Sequence, residues 1–451
     1  MKKRAPLALL LAVILIVSLL SACGNSSGAN SAGSGQGGAS TGSKANSDDK
    51  VNLRFMWWGG ETRHKATVEA LNLYMERNPN ITIEFEYGGF SGYFDKLLTQ
   101  LAGNSAPDIV QLSYTNVSEY VVRNQLYPMD DFIQNGTLSV DKLDKTLLDT
   151  YNINDMQYAI PAGINIQLLY YNKTVFDDLG IEYPASGMTF DEVYAKADEV
   201  TKAARAKHIN DLWGISTYGK NFDVNYQRML VDQGGKMWSD DLKTAAFNSP
   251  QGIAALQYIK KPIDEGYGVP PEVTVSNPDG LTDFALGNSA MEIDNATSAA
   301  GLASTGSFEL GVELSPFGNS KKAIWYQASQ VFSITKQTKN AQEAAKVIDF
   351  LINDPDAGKI LAYERGIPVN EDIRVASAEG KSDLDLRVLE LVENAGQYVG
   401  DGTPTGFPPG YMEVYNEFNR LQEAYHYNQA TAETTLEELE KFANQTIGKF
   451  S

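Results

Sequence analysis

The stretch that decides the fold is Phe55-Met56-Trp57-Trp58-Gly59-Gly60-Glu61-Thr62-Arg63-His64. Before it, Val51-Asn52-Leu53-Arg54-Phe55 places apolar residues at every second position, the period of a half-buried strand. After it, Val68, Leu71 and Met75 recur at helical spacing between Ala66 and Arg77. The chain therefore reads strand, Trp-Trp, Gly-Gly turn, helix. In an open α/β sheet such a junction faces the crevice outside the carboxyl ends of the strands. Two adjacent indoles are costly to leave in water at that place. Either they are platforms for something flat that stacks on them, or one is core and the other covers the sheet end.

The same rhythm continues outward. Asn78-Pro79-Asn80 stops the helix, and Ile81, Ile83, Phe85 and Tyr87 alternate with Thr82, Glu84 and Glu86 as a second strand. Gly88-Gly89 turns into a helix from Tyr93 to Ala102, and Pro107-Asp108 precedes a short strand, Ile109 to Leu112. Further along, Ile166 to Tyr171 reads as an apolar strand, Phe190 to Ala204 as a helix and Leu212 to Ile215 as a strand. Asn225 to Gln233 reads as a helix, Phe284 to Gly287 as a helix end, and Ala290 to Asp294 as a strand. Glu343 to Ile352 puts Ala344, Val347, Ile348 and Leu351 on one helical face. Strands separated by helices predict the α/β class with parallel, doubly wound sheets, and 451 residues suffice for two or three domains.

Composition narrows the function. The chain is 43% hydrophobic and 21% charged, as in an ordinary soluble domain, with a formal net charge of −20. That balance repels phosphate backbones and anionic headgroups, which argues against a nucleic-acid partner. The single cysteine, Cys23, makes no intrachain disulfide and no zinc cluster. His64, His208 and His426 do not pair at helical metal spacing, so neither a transition metal nor a cofactor is expected. Asp- and Asn-rich loops leave calcium open, although none reads as a twelve-residue EF loop. There is no Gly-x-Ser-x-Gly elbow, His-Glu-x-x-His or Walker loop.

The N-terminus begins with Lys2-Lys3-Arg4, an apolar run from Ala5 to Val17, and then Leu19-Leu20-Ser21-Ala22-Cys23. That layout is a secretory signal over residues 1–22, and its ending resembles a bacterial lipobox whose Cys23 receives a diacylglycerol. Residues 23–50 follow as the lipidated cysteine and a Gly/Ser/Asn tether too poor in apolar residues to fold. A lipid-anchored protein on the extracellular face of the cell membrane is the expectation.

Several stretches resemble one family in order along the chain. They are the lipobox, the first strand with its Trp-Trp junction, Ala106-Pro107-Asp108-Ile109-Val110, and Tyr158-Ala159-Ile160-Pro161 with Leu169-Tyr170-Tyr171-Asn172-Lys173. Ala290-Met291-Glu292-Ile293-Asp294 and Gly366-Ile367-Pro368-Val369-Asn370 complete the set. The chain is thereby similar to the family 1 extracellular solute-binding proteins of ATP-binding-cassette sugar importers, the maltose-binding-protein-like group. The Trp-Trp-Gly-Gly-x-x-Arg-His arrangement looks closest to members associated with pectin-type oligosaccharides. The resemblance implies two α/β lobes joined by a hinge of crossing strands, with a sugar enclosed between them and delivered to the importer's membrane subunits. It assigns residues 51–164 plus 295–335 to one lobe and 165–294 plus 336–451 to the other. It implies a monomeric binder rather than an enzyme.

A pyranose has apolar C–H faces and a rim of hydroxyls, so its site needs aromatic platforms ringed by amides and charged groups. Trp57 and Trp58 are the first platforms, with Glu61 at the helix start behind them. Tyr87 and Phe90 flank the second strand's Gly-Gly turn and Tyr93 opens the next helix, with core packing as their alternative. Gln111 and Tyr114 follow the third strand; Asn165, Asp294 and Asn295 stand where the family crosses between lobes, either on ligand or in a hinge network. Trp325 is a further platform, although the Gly-Gly the family often carries there is absent, and Tyr218 and Trp238 are candidates for the opposite wall. Arg63, His64 and Arg365 are the candidates for a uronic-acid carboxylate, against the plainer reading that Arg63 pairs with Glu61 or another acid. Two other classes stay open at this stage. One is an extracellular polysaccharide-degrading enzyme working through paired carboxylates; the other is a surface adhesin lipoprotein.

Overall fold

Strand β1 (Val51–Trp58) does not stop at the alternating segment but runs on through both indoles. Successive side chains of a strand point to opposite faces, so Trp57 and Trp58 are committed to different cores. Trp57 packs with Leu53, Phe55 and Ile83, whereas Trp58 packs with Met56, Tyr93, Leu97 and Val110.

The computed structural model describes residues 50–217, 222–278, 281–318, 325–398 and 406–450. The signal segment, Cys23, nearly all of the tether and Tyr218 lie outside the described residues. In chain order, β1 is followed by α1 (Glu61–Arg77), β2 (Ile81–Gly88), α2 (Tyr93–Ala102), β3 (Ile109–Leu112) and α3 (Val117–Val122). Next come β4 (Ile160–Pro161), β5 (Gly163–Asn172), α4 (Phe190–Ala206) and α5 (Phe222–Asp232). Then β6 (Met291–Asn295), β7 (Leu310–Leu314), β8 (Tyr326–Ala328) and β9 (Val331–Ile334) lead to α6 (Ala341–Asn353) and α7 (Pro355–Leu361). The chain closes with β10 (Ile367–Pro368), α8 (Asp383–Ala395), α9 (Tyr411–His426) and α10 (Ala432–Ile447).

The first sheet has the order β2-β1-β3-β9-β4. Its β2, β1 and β3 are parallel, as a βα rhythm requires, while β9 runs antiparallel to both β3 and β4. The sheet is thus mixed, where a wholly parallel one was expected. The second sheet is built on β5, which crosses from one lobe to the other. Its first residues pair with β8 and β10, and its later ones with β6 and β7. The crossing is tight: a Cβ on Gly163 would come 2.4 Å from the Arg365 carbonyl oxygen, so only glycine fits there.

Ile164, Ile166, Leu168 and Tyr170 on one face of β5 join the core beneath the first sheet. Leu169 and Tyr171 on the other face join the second lobe's core, with Val193, Tyr226, Phe247 and Leu436. One expected boundary moves. Residues after 335 were assigned to the second lobe, but α6 and α7 pack on α1 and β9, burying Ala344, Val347, Ile348 and Leu361 with the first. Two local readings also change. Leu212 to Ile215 forms isolated bridges to Ser289 and Gly268 rather than a strand, and Phe284 to Gly287 is a turn closed by Gly287 at φ 81°.

Candidate functional site

β5 is apolar except for Asn165 and Gln167, which lie two apart and so share a face. Register brings Gln327 of β8 opposite Asn165 and Asn295 of β6 opposite Gln167. Four amide side chains therefore gather on the hinge face just before the second lobe's apolar core begins. Arg228 of α5 covers them: its Nη1 donates to Gln167 Oε1 (2.9 Å) and to Ser315 Oγ (2.7 Å), and its Nη2 to the Pro316 carbonyl (2.6 Å). Burial pulls the Arg228 guanidinium down to about 10.

Several buried polar atoms lack a hydrogen-bond partner, two of them on this face. They include Asn165 Oδ1, Gln167 Nε2, Thr217 Oγ1, Asn225 Oδ1 one turn before Arg228, and Asn116 Oδ1 beyond β3. Each such atom costs about 1–3 kcal/mol while it stays unsatisfied, so the pair on β5 is an arrangement that a hydroxyl-rich ligand would relieve.

The lobes meet beside this face. Thr115 Oγ1 lies 3.3 Å from Met412 Sδ, the Ser118 hydroxyl donates to the Phe407 carbonyl, and the Tyr114 and Phe407 rings are 5.6 Å apart. Gln227 Nε2 donates to the Tyr411 hydroxyl at 2.9 Å. A cavity of about 240 Å³ opens at the same seam, lined by Tyr114, Ser118, Tyr151 and Asn152 of the first lobe and by Leu242 and Phe407 of the second.

The rim of the first sheet has the opposite character. Tyr87 and Phe90 are 51% and 53% exposed. Tyr87 lies against His64 (ring centroids 4.5 Å apart) and Trp57 (5.0 Å); Phe90 sets its edge on Trp58 and Phe94. Trp57 Nε1 donates to His64 Nδ1 at 3.1 Å. Because an indole N–H can only donate, that bond leaves the proton of the neutral imidazole on Nε2. Desolvation holds the His64 pKa below its ordinary value, opposed by Glu61.

Behind the rim lies a buried polar knot. Arg63 donates from Nε to the Glu364 carbonyl (2.7 Å) and from Nη1 to the Trp58 carbonyl (3.4 Å) and Gln330 Oε1 (3.5 Å). Arg365 donates to Gln111 Oε1 and to Thr67 Oγ1 and lies over the Phe332 ring. Burial, reinforced by Arg63, pushes the Arg365 guanidinium down to about 9. Gln111 Nε2 donates to the Trp58 carbonyl (3.3 Å), and the Tyr93 hydroxyl sits between the carbonyls of Met56 and Gln111.

Among the residues singled out from sequence, Asn165, Asn295 and Tyr114 reach the seam, while Trp58, Arg63, His64, Tyr87 and Phe90 stand at or just behind the rim. Others are corrected. Trp57 has no exposed surface and is core. Trp325 is 2% exposed in the second lobe's core, where its indole donates to Gln327 Oε1, and Trp238 is buried between Phe247 and Tyr411. Gln111 and Arg365 are buried in the knot rather than presented to a ligand. Asp294 lies opposite Leu168, so it faces away from the amides. Glu61 sits on the exposed first turn of α1 and pairs with Lys65. Gln167, Asn225, Gln327 and Asn116 were missed, although Asn165-Ile166-Gln167 in an apolar strand carried a period-two polar signal. Among the described residues no group of three His, Cys, Asp or Glu could hold a metal, and no helix is long and apolar enough to cross a membrane.

A sequence profile for bacterial extracellular solute-binding protein matches residues 59–357. A putative binding protein of Brucella abortus is 22% identical over 384 residues, covering 84% of this chain and 89% of its own. A maltooligosaccharide ABC transporter solute-binding lipoprotein of Streptococcus pneumoniae is 24% identical over 334 residues, 73% of this chain and 76% of its own. The structure of a periplasmic oligogalacturonide-binding protein from Yersinia enterocolitica, in complex with saturated digalacturonic acid, superposes with a TM-score of 0.72. It is 22% identical and covers 89% of this chain and 100% of its own. The two α/β lobes and the sequence match agree: the chain belongs to the bacterial extracellular solute-binding protein family.

Proposed function

We propose that this protein captures an oligosaccharide between its two lobes and hands it to the membrane subunits of an ABC importer, held at the extracellular face of the cell membrane by a lipid on Cys23. The observation that carries the reading is the pair of buried, unpartnered polar atoms Asn165 Oδ1 and Gln167 Nε2 on one face of the crossing strand β5, with Asn225 Oδ1, also unpartnered, one turn before the Arg228 that bonds Gln167. Sugar hydroxyls both donate and accept, so one ligand can satisfy amide oxygens and amide nitrogens together. Contacts made to both lobes at once then favour the closed arrangement. A uronate-containing chain is the finer form of the reading. Arg63 supports it, because Nε and Nη1 are engaged while Nη2 has no hydrogen-bond partner among the described residues.

A thermal-shift panel of neutral and uronate oligosaccharides tests this. At a hundredfold excess over Kd, a bound sugar stabilises by about 2.7 kcal/mol, which raises the unfolding midpoint by a few degrees. The expected result is such a shift for one chemical series, larger for its uronate members. No shift with any sugar would overturn the reading, and equal shifts with neutral and acidic members would remove its uronate part.

A further inference from the structure

We infer that the buried knot behind the rim is an anion site, in which Arg365, beside Arg63, holds one small monoatomic anion of the halide class. The site does not rest on the carbohydrate reading, since Arg365 is too deeply buried to meet a sugar ring.

Charge is the first argument. Elsewhere in the molecule the partly exposed Arg54, Arg77 and Arg387 each meet a carboxylate. Arg365, only 3% exposed, meets neutral acceptors: Gln111 Oε1, Gln330 Oε1 (3.4 Å) and Thr67 Oγ1 (2.8 Å). Arg63 likewise takes the Glu364 and Trp58 carbonyls and the same Gln330 Oε1 (3.5 Å). Among the described residues no carboxylate lies within ion-pair distance of either guanidinium. Glu364 offsets the two charges in part, but its Oε2 is turned to Thr62 Oγ1 at 3.0 Å. The shared Gln330 oxygen thus holds two like charges side by side. Keeping them out of water is costly unless an opposite charge joins them.

A free donor is the second. Arg365 Nε is buried with no hydrogen-bond partner, although both terminal nitrogens of the same guanidinium are engaged. Arg365 also lines a cavity of about 20 Å³ with Phe332, Leu361, Gly366 and Ile373. That volume takes one water-sized species, and phosphate, sulfate or a uronate ring is too large for it. A water would meet the donor and leave both charges unopposed, whereas a halide ion answers both.

The site also bears on the hinge. The Arg365 carbonyl accepts from Ser329 Oγ and presses on Gly163, where β5 begins, and its guanidinium lies over the Phe332 ring of β9. An anion here steadies the foot of the crossing strand.

Crystals of the protein grown with sodium bromide, measured at the bromine absorption edge, test the site. The expected result is an anomalous peak within hydrogen-bond reach of Arg365 Nε. Peaks confined to the surface, an adventitious ion only, would overturn it. Thermal unfolding is the second measurement, in sodium chloride and in sodium methanesulfonate at equal ionic strength, the latter anion being too large for the cavity. Chloride should raise the midpoint of the unaltered protein by a few degrees. Arg365→Lys, which keeps the charge, should retain part of that shift, and Arg365→Gln should lose it. Equal midpoints of the unaltered protein in the two salts would overturn the site, and so would an undiminished chloride shift in Arg365→Gln. Should Arg365→Gln fail to fold, the bromide map and the salt comparison on the unaltered protein decide.

Discussion

On the hinge face of β5, Asn165 and Gln167 hold amide atoms out of water without partners; on the rim of β1 and β2, Tyr87 and Phe90 hold aromatic rings in water. Each region reverses ordinary placement, one by burying polarity and the other by exposing apolar surface. The two reversals match the two sides of a sugar ring, hydroxyl edge and C–H face. Between them, Gln111 and Arg365 tie the rim to β3 as a buried support, and Arg63 joins that knot through Nε and Nη1 while leaving Nη2 unpartnered.

The contrast is sharpest between the two rings that touch, Trp57 and Tyr87. Trp57→Ala should cost about 3–5 kcal/mol of stability, because a fully buried indole leaves a cavity and an orphaned His64 Nδ1. Denaturant unfolding checks this. Tyr87→Ala, half exposed, should change stability by about 0.5 kcal/mol or less, and an equal loss for both would erase the distinction between core and rim.

Acid provides a baseline that neither region controls. Burial at the C-terminal end of α9 pushes the His426 pKa down to about 4, against about 6.5 in the unfolded chain. The folded state therefore resists protonation that the unfolded state accepts. Its stability is complete above pH about 6.5 and falls by about 3 kcal/mol as pH approaches 4. Urea midpoints measured between pH 7 and pH 4.5 should decline accordingly, and a flat profile would contradict a neutral, buried His426. The hinge amides do not titrate, so acid should leave their part of the site intact down to the onset of unfolding.

Much of the fold was legible. Strong alternation in Ile81 to Tyr87 and the helical apolar face of Glu343 to Ile352 gave β2 and α6 nearly to their ends, because both bury one face only. The lobe to which α6 belongs was not legible, since its apolar face would suit either core. The indole pair failed for a specific reason. Reading the strand as ending at Phe55 put both indoles in the turn, whereas two more turns of the pleat send them to opposite faces. At the site, single exposed aromatics such as Tyr87 were visible in sequence. The hinge patch was not, because it is assembled by antiparallel register of β6 and β8 on β5, which lies more than a hundred residues before either.

Asn165→Leu bears on the central claim most directly. Asn165 is 7% exposed and its Oδ1 has no partner, so an apolar residue of similar size removes no protein hydrogen bond. Calorimetry of this variant with the oligosaccharide that stabilises the unaltered protein most, beside thermal unfolding without ligand, is the measurement. The account predicts an unfolding midpoint equal to or above that of the unaltered protein, with affinity reduced about a hundredfold, the loss of about 2–3 kcal/mol that an unmet ligand hydroxyl implies. Undiminished affinity in a stably folded Asn165→Leu would contradict a ligand seated on the hinge amides.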